Sequence, residues 1–337
     1  MKLVFVTQQV DPASPVLGAT VAKIRALAER VDEVAVLADA AVEDVLPANC
    51  HVRLFHSATK AGRGVRFETA LARELARRPA VVVAHMCPIY AVLAAPLARP
   101  LGVRVVLWFT HWRASRLLRL AERASSAVLT VEARTFPLAS RKVRAIGHGI
   151  DLAQFPCLER PRREELALLS LGRTSPAKGL DVVLRATALV PQARLVVRGP
   201  SLTEDERRHR VELLRLVDEL EIGDRVEVAQ AVPRSDVPHL LRDADALVNN
   251  MRAGATDKVV YEAAATCLPV LASNPALDGF LPAALRFARE DAADLALRIR
   301  ELLVADRVGI GRELRARVER EHSVEGWAER VLEAAVS

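Results

Sequence analysis

A chain of 337 residues exceeds what one hydrophobic core usually organises, so two domains are the natural division. Aromatic residues make up 4% and hydrophobic residues 51% of it, an aliphatic balance that suits parallel sheets under Ala/Leu/Val helices and argues against an aromatic-rich sandwich. The net charge of +6 is uneven: residues 1–150 hold 21 Lys and Arg against 11 Asp and Glu, a net +10, and the remainder 27 against 31, a net −4. The first half either attracts an anionic partner or presents solvated Arg-rich helix faces.

The chain runs at once into Lys2-Leu3-Val4-Phe5-Val6, too short for a signal-peptide core and read as a first strand, so a cytoplasmic location is expected. Short β-branched runs then recur at Leu3–Thr7, Val34–Leu37, Val52–Phe55, Ala80–Ala84, Val103–Phe109 and Ala127–Thr130, with helical patterns between most of them. That alternation specifies βαβ units and a parallel, doubly wound sheet, which binds ligands beyond the carboxyl ends of its strands. The apolar stretch Ala80–Ala98 contains His85, Pro88 and Pro96 and reads as a buried strand and helix rather than a membrane span. Cys50, Cys87, Cys157 and Cys267 have no C-x-x-C spacing, so neither a zinc site nor a disulfide framework is expected.

A proline-punctuated stretch from Asp151 to Pro161 marks the linker, giving domains 1–150 and 151–337, with the last helix able to pack back on the first. Strands then recur at Leu166–Leu171, Ala193–Val197, Arg225–Val228, Ala246–Val248 and Pro269–Ala272, with an amphipathic helix over Thr203–Glu221. A second Rossmann-like sheet follows from that pattern.

Two segments carry candidate chemistry. The first, Gly172-Arg173-Thr174-Ser175-Pro176-Ala177-Lys178-Gly179, leaves a strand and enters a helix, where backbone amides and two cations meet phosphate. Lys178 is followed by Gly179 rather than Ser or Thr, so it is not a Walker A loop; an ordinary βα turn with solvated cations is the alternative. The second, Asn249 to Ala263, implies another strand, loop and helix start, with Thr256 or Asp257 as N-cap and the small residues Ala253, Gly254 and Ala255 leaving amides open to a ligand. Glu262 falls in the second turn of that helix, where a carboxylate accepts two hydrogen bonds from vicinal hydroxyls or simply complements the helix dipole.

In their order and spacing these segments resemble the retaining GT-B glycosyltransferases often called family four. The resemblance rests on Gly172–Asp181, on Arg225-Val226 with Val232-Pro233, on Tyr261-Glu262-Ala263 leading to Pro269–Ser273, and on Gly18 and Gly149-Ile150-Asp151. It implies two Rossmann-like domains facing a central cleft, with a nucleoside-diphosphate sugar as donor substrate and no cofactor or metal. It implies that Arg173 and Lys178 hold the donor diphosphate, Glu262 grips the ribose, Gly18 approaches the diphosphate and acceptor, and His111 stands near the transferred sugar. Gly172, Ala255, Thr256, Asp257 and Lys258 complete the implied donor site. One residue departs from the pattern: the acid that contacts the donor sugar is replaced by Gly254, leaving Asp257 or the amides of residues 253–256 to substitute. The junction residue that is often Asn is His148.

The resemblance suggests a front-face transfer in which the departing phosphate receives the acceptor's proton, to a sugar, lipid-linked or small-molecule acceptor. No D-x-D-like acid cluster follows a strand, which argues against a metal-dependent GT-A enzyme. A non-catalytic nucleotide-sugar-binding relative is the alternative, motivated by Gly254. Basic residues lack interleaved aromatics, so no nucleic-acid partner is expected. The stretch Arg53–Arg78, with Lys60, Arg63, Arg66, Arg73 and Arg77, is a candidate peripheral contact with an anionic membrane.

Overall fold

The computed structural model describes residues 1–14, 17–158, 160, 163–252, 254 and 256–336. It divides into two compact units, Met1–Asp151 joined by Glu321–Ser337, and Leu152–Arg320.

The first unit is a seven-stranded parallel sheet of β1 (Lys2–Val10), β2 (Glu33–Ala41), β3 (Cys50–Leu54), β4 (Val81–His85), β5 (Arg104–Trp108), β6 (Ala127–Thr130) and β7 (Val143–Ala145). Its order, β3-β2-β1-β4-β5-β6-β7, reverses between β1 and β4, where Phe5 stands between Val36 and Val83. Helices α1 (Ala19–Ala28), α2 (Lys60–Leu75), α3 (Pro88–Ala98) and α4 (Arg116–Ala124) cover it. Both faces are buried, which is why the strands read as continuous aliphatic runs: Val81 to Ala84 are all fully buried. The apolar stretch 80–98 is accounted for by β4 and α3. Among the described residues no helix is long and apolar enough to cross a membrane.

The second unit is a five-stranded parallel sheet of β8 (Leu166–Leu171), β9 (Ala193–Arg198), β10 (Val226–Ala229), β11 (Ala246–Asn249) and β12 (Val270–Ala272), in the order β10-β9-β8-β11-β12. Helices α5 (Leu180–Ala188), α6 (Glu204–Glu219), α7 (Val237–Asp243), α8 (Lys258–Ala265), α9 (Ala292–Val304) and α10 (Arg307–Glu321) accompany it. Helix α6 starts with a capping box between Thr203 and Glu206. The strand order reverses between β8 and β11, so the loops leaving these two strands border the crevice where ligands of open α/β sheets bind.

Helix α11 (Val324–Val336) belongs to the first unit. Trp327 packs edge-on to Trp108 with ring centroids 5.5 Å apart, and the buried Lys23 ammonium lies 4.6 and 5.0 Å from the two rings. Cation–π attraction partly offsets the cost of burying that charge.

One expectation is overturned. Cys157 and Cys267, 110 residues apart, are joined by a disulfide with their Cα atoms 5.0 Å apart. Sequence spacing gave no signal because the folding of the linker against the end of α8, and not local chain geometry, brings them together.

Candidate functional site

The loop after β8 is shaped by backbone that side chains disfavour. Gly172 has φ of 138°, and a Cβ there would meet Cε and Nζ of Lys178 at 3.0 Å. A short 3-10 turn, Pro176–Lys178, ends at Gly179 in the left-handed region (φ 53°), which is also the N-cap of α5. The Lys178 side chain is 14% exposed. Arg173 is half-exposed, with its guanidinium 3.2 Å from the buried Glu206 carboxylate.

The loop after β11 is strapped onto this one. Asn250 Nδ2 donates to the Gly179 carbonyl at 2.9 Å, and Ser273 Oγ donates to Asn250 Oδ1 at 2.6 Å. The Arg252 amide donates to Ala177 O at 2.7 Å and its guanidinium to Pro176 O at 2.8 Å. Arg252 also pairs with Glu290 and Asp181, and the Glu290 hydrogen bond pushes its pKa further up. Asp257 occupies the N-cap position of α8 but makes no capping bond. Its carboxylate instead accepts from Lys178 Nζ and, at 2.7 Å, from Asn249 Nδ2. The expected cap gives way because a mostly buried ammonium requires a counter-charge more than a helix end requires one more acceptor.

Glu262 is 2% exposed on α8. Arg234 donates to both its oxygens, NH1 to Oε2 at 2.9 Å, and Lys258 Nζ lies 3.4 Å from Oε1. Burial lowers the Lys258 pKa, with Glu262 pulling the other way. The Arg234 guanidinium stands 5.2 Å from the Phe155 ring centroid. Sequence reasoning missed Arg234, although it directly follows the Val232-Pro233 pair that the resemblance used; nothing in its spacing pointed to α8.

The remaining expected residues are placed as follows. Gly254 is exposed, and a Cβ on it would have no atom within 4 Å; Thr256 is partly exposed. Ala255 and Ala253 lie outside the described residues. In the first unit, Gly18 is the N-cap of α1, where a Cβ would meet the carbonyls of Ser14 and Pro12 at 2.7 and 2.8 Å. His111 is exposed in the loop after β5, its Nδ1 accepting from Arg113 N at 3.1 Å and its ring stacked 5.8 Å from Trp112. His148 is buried, its amide donating to His322 Nδ1 at 3.2 Å.

Much of the basic stretch is neutralised locally. Arg53 and Arg77 pair with Glu74, Arg77 also with Glu33, and Arg63 with Asp39, while Arg66 donates to His56 O. Lys60, Arg73 and Arg78 are exposed. Glu33, His51 and Glu74 converge closely enough to suggest a metal site, but Lys2, Arg53 and Arg77 share the same carboxylates, so the cluster is an ion-pair network.

Comparison with known proteins bears on the fold and the family. Residues 159–318 match the family of glycosyl transferases group 1. The D-inositol 3-phosphate glycosyltransferase of Mycobacterium leprae is 34% identical over 157 residues, 43% of this chain and 35% of that protein. The chain thus spans about a third of the length of the curated relatives it matches. HepE from Anabaena, solved with UDP and glucose, superposes with a TM-score of 0.79 at 17% identity, over 100% of this chain and 99% of that one. Sucrose-phosphate synthase from Thermosynechococcus elongatus gives 0.76 at 19%, over 98% and 97%. At such identities the likeness is one of fold, and that fold is GT-B. Residues 159–318 are thus similar to the group 1 glycosyltransferases, over somewhat less than half of the chain.

Proposed function

We propose that the chain is a retaining glycosyltransferase that moves a hexose-type sugar from a nucleoside-diphosphate sugar to an acceptor hydroxyl without a metal ion. The observation that carries this reading is the convergence of the Arg173–Lys178 loop with the Asp257–Glu262 helix start at the point where the second sheet reverses its strand order. Support also comes from HepE, solved with UDP-glucose.

The chemical task is to stabilise charge growing on the departing diphosphate. Arg173, Lys178 and the N-terminus of α5 supply it, and the leaving oxygen accepts the acceptor's proton on the same face. Lys178 must then exchange Asp257 for phosphate, and Glu262 must share its oxygens between Arg234 and the ribose. The acceptor is a sugar, a lipid-linked sugar or a small molecule. A cytoplasmic chain touching an anionic membrane would do so through Lys60, Arg66, Arg73, Arg77 and Arg78, the exposed cations of the 53–78 stretch.

A melting-temperature panel across UDP, GDP, ADP, TDP and CMP tests the site, since a ligand of the folded state raises the melting point by linkage. Turnover of the matching nucleotide sugar, followed by NMR of the product anomer with and without a chelator, tests retention and metal independence. Inversion of the anomer, or activity abolished by the chelator and restored by a divalent ion, overturns the reading. Gly254 favours a second one, nucleotide-sugar binding without turnover. Tight binding with no transfer to any acceptor would select it.

A further inference from the structure

We propose that the Cys157–Cys267 bridge is a thiol-exchange site for a small carboxylate-bearing thiol, and that its state sets how firmly Arg234 holds Glu262. The effect on nucleotide binding rests on the function proposed above; the exchange and its local consequence do not.

The bridge opens onto a cavity of about 520 Å³ that both cysteines line together with Arg160, Arg307 and Arg312. Arg312 is exposed and makes no hydrogen bond or ion pair with the described residues. Two acids, Asp245 and Asp306, also line it, each already accepting a backbone amide: Ala167 N at 2.9 Å and Gly309 N at 3.0 Å. Arg307 pairs with Asp245 at 3.9 Å, and with Arg160 and the exposed Arg312 the cations outnumber the acids by one, which suits a ligand carrying a carboxylate. Cys157 is exposed and Cys267 is 6% exposed, so the sulfur of Cys157 is the one open to attack.

A second observation sets Cys267 apart. It follows α8 with φ of 58°, and its amide and that of Leu268 donate to Ala264 O and Ala263 O, both at 3.1 Å. This is a helix C-terminal position that glycine fills without strain, and a cysteine occupies it instead. The other two thiols make poor competitors, since burial pushes Cys50 and Cys87 each up to about 11.

The bridge reaches the candidate site through packing. Cys157 lies two residues after the buried Phe155, whose ring stands 5.2 Å from the Arg234 guanidinium that grips Glu262. Arg315 donates to Phe155 O and Ala265 O, both at 2.6 Å, tying this segment to the end of α8. In the exchange, an incoming thiolate attacks Cys157 Sγ, forms a mixed disulfide there and expels Cys267 as thiolate, which takes a proton. A second thiolate then attacks the outer sulfur, releasing the small disulfide and the Cys157 thiol. Two electrons enter the protein and two thiols leave as one disulfide.

The full chain is treated with glutathione and, at equal thiolate concentration, with cationic cysteamine, and the products are mapped by mass spectrometry without reduction. The expected result is an adduct on Cys157, formed roughly threefold or more faster by glutathione, with Arg312→Glu removing that preference. Amide exchange across residues 234 and 258–262 rises on reduction, and Cys157→Ser shows the raised exchange without any thiol. A bridge inert to both thiols, equal rates, or an adduct on Cys50 or Cys87 overturns the exchange site. Unchanged amide exchange on reduction of the wild type overturns the coupling. UDP affinity is measured in both redox states: if neither binds, the donor assignment fails while mass mapping and amide exchange still decide the bridge.

Discussion

Arg234 and Glu262, 28 residues apart, meet in a two-pronged ion pair of which the carboxylate side is 3% exposed and the guanidinium side 14%. Such a pair is costly to bury and costlier to break, because removing one charge strands the other. Here it would also strand Lys258. Glu262→Gln is therefore expected to lose roughly 3–5 kcal/mol of stability in denaturant unfolding. It should also weaken a nucleoside diphosphate by roughly 1.5–3 kcal/mol in titration calorimetry, if the ribose hydroxyls donate to it. Loss of stability with unchanged affinity would make Glu262 a purely structural acid.

Lys178 is paired with Asp257, so a diphosphate bound as proposed has to displace that carboxylate. Asp257→Asn is expected to tighten diphosphate binding, because the competing charge is gone while Asn249 keeps a side-chain acceptor. Lys178→Ala and Arg173→Ala should each cost several kcal/mol of transition-state stabilisation, on the order of a lost charge-assisted contact. Weaker binding in Asp257→Asn would show that Asp257 helps hold the donor instead of competing with it.

The parts of this chain that were legible in the sequence are those that local pattern determines. Strand β8 was read with the bounds it has, since an aliphatic run between polar turns has one reading in a two-sided parallel sheet. The three-residue β7 was missed, because so short a segment carries no run and owes its strand form to pairing with β6. Arg173, Lys178 and Glu262 stand out in the sequence as candidates because strand–loop–helix starts bring amides and charges together. Their counter-ions Glu206, Asp257 and Arg234 are set by which helix packs beside which loop, and that is tertiary information. The Cys157–Cys267 bridge was illegible for the same reason.

Acid should destabilise the first unit through histidine. Burial and the charge of Arg330 hold His322 at about 3, against 6.5 for the free group. Burial and Lys23 likewise hold His85 well below its ordinary value. Between about 6.5 and 3 the unfolded chain binds a proton that His322 refuses in the folded chain, so stability is full above 6.5 and falls as the pH drops, by about 1.4 kcal/mol per unit from His322, with His85 acting in the same direction. Acids such as Glu290, held low by its Arg252 hydrogen bond, contribute only below about 4.5. His322→Asn, whose amide oxygen replaces Nδ1 as acceptor for the His148 amide, should flatten the limb between pH 6.5 and 4.5. Unfolding free energies at pH 7, 6 and 5 check it, and parallel curves for variant and wild type would remove His322 from the account.

Substitution at Gly254 tests recognition of the sugar apart from recognition of the nucleotide. The position is exposed and a Cβ there meets nothing within 4 Å, so Gly254→Glu introduces a carboxylate without a clash and should leave folding stability within about 0.5 kcal/mol of wild type. Arg173, Lys178 and Glu262 are untouched, so affinity for the free nucleoside diphosphate should also be unchanged. What should change is the difference between the nucleotide sugar and its diphosphate. In the wild type, with no acid to accept from sugar hydroxyls, the intact donor is expected to bind scarcely better than the diphosphate alone. In Gly254→Glu the donor should gain on the order of 1.5–3 kcal/mol, the range for hydrogen bonds to a charged group, and only for sugars with hydroxyls in reach. Titration of one diphosphate and its glucose and galactose conjugates against both proteins supplies the comparison. If the wild type already prefers one conjugate over its diphosphate by orders of magnitude, other residues read the sugar and the glycine is no gap in the site.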